Sequence, residues 1–580
     1  MRELLTLKEY LLKYKNRLLI GFVFIVLTNL FTVAAPRVLG YAIDSISKDA
    51  NFFLLAIYAG TIFLIAVIQG VFRFYMRQIV IGVSRWIEYD LRNDFFAHLE
   101  KLSMNFFLNY RTGDIMSRAT NDLNAVRMVL GPGIMYSITT ITMFVFAVFL
   151  MLSINVRLTI YAMIPFPLLS FFISKFGSLI HKRFEKIQEQ FSNMSAFIQE
   201  NFAGIRVVKA YVREDNEIKE FRKQNKRYFD KSKSLIKVRS IFLPIIELIG
   251  GIGVLIILWY GGYQVILGKI SIGDFVAFNG YLLLLLWPVI ALGWVISLFQ
   301  RGSASMGRMN KIFNIEPDIK DEEDVIKVEN IDGEIEFKDL TFSYNNAKEP
   351  VLKNINLKIK KGMTLAIVGH IGSGKTTLVN LIPRIFDAPE GSILIDGIPI
   401  RRIPLKTLRK NIGYVPQDTF LFSDTIKENI VYGVKDVSGD EIIEAAEVSQ
   451  ILAEIEEFPE KFDTLLGERG INLSGGQKQR LSISRTIIKK PKILILDDAL
   501  SSVDTYTEGE ILKRLKEFMK ERTSIIVSHR ISTVQDADLI IVLYNGMIAE
   551  QGMHKDLVEK DGIYASLYRK QLIAEELEKY

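Results

Sequence analysis

The sequence predicts two joined folds. An all-α membrane domain of six spanning helices is followed by an α/β domain with a phosphate loop. Three observations carry that prediction. Six apolar stretches in the first 300 residues are each long enough to cross a bilayer, which takes about 20 residues. From Gly333 onward, short β-branched runs alternate with amphipathic stretches, the pattern of strands and helices packed in layers. Between one such strand and one such helix stands Gly369-His370-Ile371-Gly372-Ser373-Gly374-Lys375-Thr376, a glycine-rich turn of the kind that wraps phosphate.

The bulk numbers narrow the function. The 580 residues leave room for about three or four domains. Hydrophobic residues make up 49%, with the excess in the first half. Zero cysteines exclude disulfides, thiol catalysis and cysteine metal sites. The net charge of +7 comes from Lys and Arg gathered in the loops that flank apolar spans, so nucleic acid is not an expected partner.

The spans are residues 18–43, 53–75, 129–154, 158–180, 241–267 and 275–299. Three short links join them in pairs, each with one basic residue: Lys48, Arg157 and Lys269. The two longer connections are polar, helical in pattern and rich in Lys and Arg. Their charge places them in the cytosol, together with both termini and the second domain, so the chain is expected in the cell membrane as a multi-pass protein. Val33-Ala34-Ala35 looks like a signal cleavage site, but Pro36 blocks it, and the first span is expected to remain. Residues 5–14 read as an amphipathic lead-in along the inner interface. Thr112-Gly113-Asp114, within 111–118, is the expected place for a short crossing element, and Ala203-Gly204 marks a similar break. Each is a candidate docking point or a plain surface turn. The expected domains are 1–315 in the membrane, an acidic linker at 316–332, and 333–580.

In the second domain a strand at 364–368 and a helix at 376–385 flank the glycine loop. Residues Gly369 to Thr377 then form a cradle for the phosphates of ATP or GTP. Backbone N–H groups and the helix start face the anion, Lys375 reaches the β- and γ-phosphates, and the Thr376 hydroxyl binds Mg²⁺. Asp497 ends the apolar strand 493–496 and is the second expected Mg²⁺ anchor. Leu473-Ser474-Gly475-Gly476-Gln477 precedes an amphipathic helix at 478–489. This is a second glycine turn that offers N–H groups to an anion. If it reaches the nucleotide of another copy, two domains sandwich two nucleotides head to tail.

At Leu473–Gln477 the chain resembles the ATP-binding-cassette family. Six spans followed by one cassette look like a half-transporter of the exporter type, and the resemblance covers nearly the whole chain. It implies further roles. Tyr344 is similar to the aromatic that stacks on adenine. Gln417 resembles the glutamine that senses Mg²⁺ and the attacking water. Asp504 resembles the aspartate of the loop that crosses the dimer, and His529 the switch histidine at the γ-phosphate. One position departs from the pattern. The residue after the Mg²⁺ aspartate is usually Glu, and here it is Asp498. Its carboxylate is retracted by roughly 1 Å, and a misplacement of that size costs on the order of 10²-fold in rate. Binding should survive and hydrolysis at this site should be slow. The same substitution resembles heterodimeric bacterial multidrug exporters, in particular their BmrC-type subunit, whose partner carries the catalytic glutamate. A homodimer in which Asp498 suffices is the alternative.

The spans say less about cargo. Glu247 in the fifth span lines a cavity or pairs with a neighbouring helix. Phe242, Trp259, Tyr260, Tyr281, Trp287 and Phe299 line a cavity, face lipid or pack between helices. The expected cargo is a hydrophobic small molecule, a drug or lipid, with a peptide open. An ATP-regulated channel subunit is the reading from a different class.

Overall fold

Six long helices carry the predicted spans: Lys15–Lys48, Phe52–Leu99, Thr112–Ile154, Val156–Ala203, Glu214–Ile266 and Ile272–Phe313. At about 1.5 Å rise per residue, a helix of 48 residues is about 72 Å long, against a hydrocarbon layer of about 30 Å. Such a helix is more than twice as long as that layer is thick. The computed structural model describes residues 2–48, 52–344 and 349–578. It has two compact units. One comprises Met1–Glu100 with Thr112–Ile315, the other Lys101–Arg111 with Glu316–Tyr580.

In the first unit, sequence signals set the helix ends. Asn155 accepts from the Leu158 amide at 3.0 Å and starts the fourth helix. Ser271 and Asp274 form a capping box at the start of the sixth. Asp44, near the end of the first helix, also accepts from the Gly273 amide at 2.7 Å. The backbones of Gly40 and Gly273 touch there, since a Cβ on Gly273 would lie 1.9 Å from the Gly40 carbonyl oxygen. The third helix contains two π turns, Arg118–Asp122 and Val129–Gly133. Asp122, at the first, accepts from Ser305 and from Arg308 Nε of the sixth helix, both at 2.9 Å. The lead-in is helical over Arg2–Leu7 and Lys8–Lys13, with Leu7 buried. Tyr10 donates to Asp94, and Lys13 and Tyr14 to Asp90.

One expectation changes. The short separate helix is Met104–Asn109, not a segment of 111–118; Thr112–Ser117 instead opens the third long helix. Buried Leu102 and Phe106 anchor the short helix, Tyr110 stacks on Phe106 with ring centres 4.5 Å apart, and Ser103 donates to Asp318 at 2.9 Å. Of the aromatic residues in spans five and six, Tyr281 is fully buried and packs in the helix core, while Trp259 and Trp287 are exposed. Glu247 is exposed, and no described residue pairs with it.

The second unit holds two sheets. Strands β1 (Ile335–Phe342), β2 (Leu352–Ile359), β4 (Ile393–Ile395) and β5 (Ile398–Pro399) form an antiparallel sheet in the order β2-β1-β4-β5. Strands β3 (Thr364–Gly369), β6 (Ile412–Val415), β7 (Ile493–Asp497), β8 (Thr523–Val527), β9 (Leu539–Tyr544) and β10 (Met547–Gly552) form the other, in the order β10-β9-β3-β8-β7-β6. All its pairings are parallel except β9 with β10. Both of its faces are covered. Leu494 and Leu496 of β7 point into one core, and Ile493 and Ile495 into the other. This is why β7 reads as an unbroken apolar run. Parallel strands deliver their C-terminal ends to one edge, where ligands bind in such sheets. Residues 316–332 carry no helix or strand; the Ile326 amide donates to the Arg402 carbonyl at 2.8 Å.

A candidate nucleotide site

The phosphate loop leaves the end of β3. Gly369 has φ +151°, and a Cβ there would lie 2.3 Å from the Leu543 carbonyl oxygen of β9, so the turn tolerates no side chain. Gly374, at φ +99°, opens the helix Lys375–Leu381, one residue before the predicted start. Lys375 is only 6% exposed. Its ammonium folds back to the carbonyls of Gly369 at 2.8 Å and His370 at 3.0 Å. Burial pushes its pKa down, against the pull of Asp497 and Asp498. The Ser373 hydroxyl is buried without a hydrogen-bond partner among the described residues. His370, Ile371 and Gly372 are exposed at the loop's tip. Thr377 is buried and shares a hydrogen bond of 3.0 Å with the Tyr344 hydroxyl. The Tyr344 ring stands edge-on to Phe342 and Phe386, 5.1 Å from each.

Beside the loop, the Thr376 hydroxyl donates to Asp497 Oδ1 at 3.3 Å. Asp497 is 1% exposed, and its second oxygen has no hydrogen-bond partner among the described residues. Desolvation pushes its pKa up to about 6; Asp498 adds to the rise, while Thr376 and Lys375 oppose it. A buried carboxylate with an orphaned oxygen, next to a hydroxyl and an anion cradle, fits a hard divalent cation that takes its remaining oxygens from phosphate and water.

Asp498 adopts a left-handed conformation, φ +50°, and its amide donates to the Val527 carbonyl at 2.9 Å. Its side chain is half-buried and hydrogen-bonds to no described residue. His529 follows β8. Burial, with Lys375, pushes its pKa below the ordinary value, and Asp498 opposes that shift. The charges of Asp497 and Asp498 thus act on Lys375, and those of Lys375 and Asp498 act on His529, at one edge of the sheet. Gln417 is exposed two residues beyond Val415, which pairs with Leu496, so it leaves the sheet at the same end as Asp497.

The second glycine turn stands elsewhere in the unit, with no hydrogen bond to the phosphate loop among the described residues. Ser474 caps the helix Gly475–Ile487 in a reciprocal box with Gln477, so the helix starts three residues before the predicted 478. Gln477 also donates to Glu454 at 2.7 Å. Gly475 and Gly476 back onto Ser502, in the loop that follows Asp498. Asp504 caps the helix Thr505–Met519 through the Thr507 amide at 2.9 Å, which pulls its pKa down. Sequence reasoning gave no role to Arg530, although it sits next to His529 in Val527-Ser528-His529-Arg530, and none to Glu508, its ion-pair partner.

Comparisons with known proteins identify the family. Residues 18–289 match the family model of the ABC transporter transmembrane region, and residues 352–501 match that of the ABC transporter. The chain is 38% identical over 567 residues to the probable multidrug resistance ABC transporter ATP-binding/permease protein YheI of Bacillus subtilis (strain 168), covering 97% of this chain and 96% of that one. It is 38% identical over 530 residues to the ATP-dependent lipid A-core flippase of Syntrophus aciditrophicus (strain SB), covering 91% and 88%. Among solved structures, a bacterial Atm1-family ABC exporter with ATP bound superposes with a TM-score of 0.80 at 28% identity, covering 96% of this chain and 98% of that one. With six membrane-crossing helices fused to one ATP-hydrolysing domain, this chain belongs to the ATP-binding-cassette exporters, as a half-transporter.

Proposed function

We propose that the chain exports apolar or amphipathic compounds, drugs or lipids, from the cytosol, and that it works beside a second, different half-transporter. The observation that carries the second part is Asp498, one methylene short of the usual glutamate, in a chain whose Ser474–Gln477 turn is intact. In this reading the cassettes and both termini are cytoplasmic and the cassettes close over two ATP molecules. Lys375 turns from the carbonyls of its own loop to the β- and γ-phosphates. Thr376 and Asp497, with Gln417, would hold Mg²⁺, which neutralises phosphate charge when bound. Water attacks the γ-phosphorus, the bond to the bridging oxygen breaks, and the water proton goes to the residue at 498. The shorter Asp498 reaches that proton poorly. His529, kept neutral by its lowered pKa, is free to donate to the γ-phosphate. Ser474 to Gln477 complete the partner's site, where a glutamate does most of the turnover, while Tyr344 and the Gly369–Thr377 cradle keep ATP here as a clamp. Asp504 lies in the loop that meets the partner.

The cargo class rests on the relatives, whose names include multidrug resistance and lipid A-core flipping, and on the span chemistry. Glu247 is the one carboxylate within the predicted spans and is exposed among apolar residues, Leu243 and Leu248 among them. The test is ATP-dependent uptake of a lipophilic dye into inside-out vesicles carrying this chain with each candidate partner half-transporter. Uptake that needs ATP and is lost in Lys375→Ala supports export. ATP binding without uptake, in every pairing and in the chain alone, would overturn it.

A further inference from the structure

We infer that Arg530 and Glu508 are a positioning pair that fastens the His529 loop to residues 501–503, and through them to the Ser474 helix. The inference rests on the reading of His529 as the group that meets the γ-phosphate.

The bonding runs through one buried carboxylate. Glu508 is 3% exposed and lies one turn into the helix that Asp504 caps. The Arg530 guanidinium pairs with one of its oxygens, and Thr533 donates to the other at 2.6 Å. The same guanidinium donates to the Val503 carbonyl at 3.2 Å and the Ser501 carbonyl at 3.4 Å. The Arg530 amide donates to Ser528 Oγ at 2.9 Å, which keeps the turn through His529 short. The other side of the same loop is held by the helix Gly475–Ile487. Gln479 donates to Ser501 Oγ at 2.9 Å and accepts from the Ser502 amide at 2.8 Å. Gly476 leaves no room there, since a Cβ would lie 3.0 Å from the Ser502 carbonyl.

Residues 501–503 are therefore gripped from two directions, by the residue after His529 and by the helix that starts at Ser474. Arginine suits the first grip because its rigid planar fork serves a carboxylate and carbonyls at once; a lysine ammonium keeps the charge but is a single point. A shift of His529 on phosphate contact pulls on Ser501 and Val503 through Arg530. Glu508 and Thr533 fix the fork so that the pull is not taken up by side-chain rotation.

The experiment is hydrogen exchange on the full-length chain in lipid nanodiscs, with and without ATP and Mg²⁺, for wild type, Arg530→Lys and Glu508→Gln. In wild type, ATP slows exchange both at 369–377 and at 501–504. In Arg530→Lys, protection at 369–377 persists, while protection at 501–504 falls by about tenfold. Glu508→Gln gives the same split and keeps the test open if Arg530→Lys does not fold. Exchange in β3 and β8 without ATP is the control, because a merely structural role would raise it and leave no ATP-dependent split. ATP protection at 501–504 that survives in both folded variants overturns the pair's role. Absence of ATP protection at 369–377 in wild type would instead overturn the nucleotide reading on which the pair's role depends.

Discussion

The Thr376 hydroxyl meets Asp497 at 3.3 Å, joining the first turn after the phosphate loop to the end of β7, 121 residues later. The pair brings a hydroxyl and a carboxyl oxygen together beside the cradle, and burial pushes the carboxyl pKa up to about 6. A carboxyl whose folded pKa lies above its unfolded value stabilises below the unfolded pKa and loses that contribution as pH rises through the folded one. Metal-free chain therefore carries a desolvated charge above about pH 6, and a divalent cation removes the penalty. The gain in thermal midpoint from Mg²⁺ in the presence of ATP is expected to be larger at pH 7.5 than at pH 5.5, and to vanish in Asp497→Asn. Thermal shift in both buffers measures it.

Lys375 is desolvated, and its depressed pKa means that at neutral pH the fold bears the cost of a buried ammonium. Removing the charge should cost no stability. Lys375→Gln is expected to lose ATP affinity by about tenfold or more, the scale of one charge-assisted hydrogen bond, while its thermal midpoint without nucleotide stays level or rises. Fluorescent-nucleotide titration beside a melting curve separates the two effects. A fall in both would mean that the lysine props up the loop.

The Gly40 and Gly273 backbones approach so closely that a methyl group at either site meets backbone rather than a movable side chain. Gly273→Ala should push the first and sixth helices apart at a cost of about 1–3 kcal/mol. Gly70→Ala is the control, because a Cβ there meets nothing within 4 Å. Unfolding in mixed micelles should place Gly273→Ala below wild type and Gly70→Ala level with it.

The spans were legible because a window of apolar residues reports membrane crossing without any tertiary information. The phosphate loop was legible because its chemistry is contiguous in the chain. The Arg530–Glu508 pair was not. Its members lie 22 residues apart, on a turn and on a helix, and each alone reads as an ordinary surface charge. The short helix at Met104–Asn109 was missed because the Thr-Gly-Asp turn after it drew the start signal away from Ser103, the residue that precedes it. Tyr281, left open between cavity, lipid and helix packing, packs between helices; an aromatic in an apolar span has no periodic signal to choose among these places.

A short Asp498 should make this site slow and leave fast hydrolysis to another chain. The most direct measurement is the ATPase rate of the purified chain in lipid, alone and as Asp498→Glu, and then with its candidate partner. A low rate alone, raised by on the order of 10²-fold in Asp498→Glu, is the predicted result. Adding the partner should restore turnover, and substituting Ser474 should abolish it. Brisk hydrolysis by the chain alone, unchanged by Asp498→Glu, would contradict the account and make Asp498 an adequate base in a homodimer.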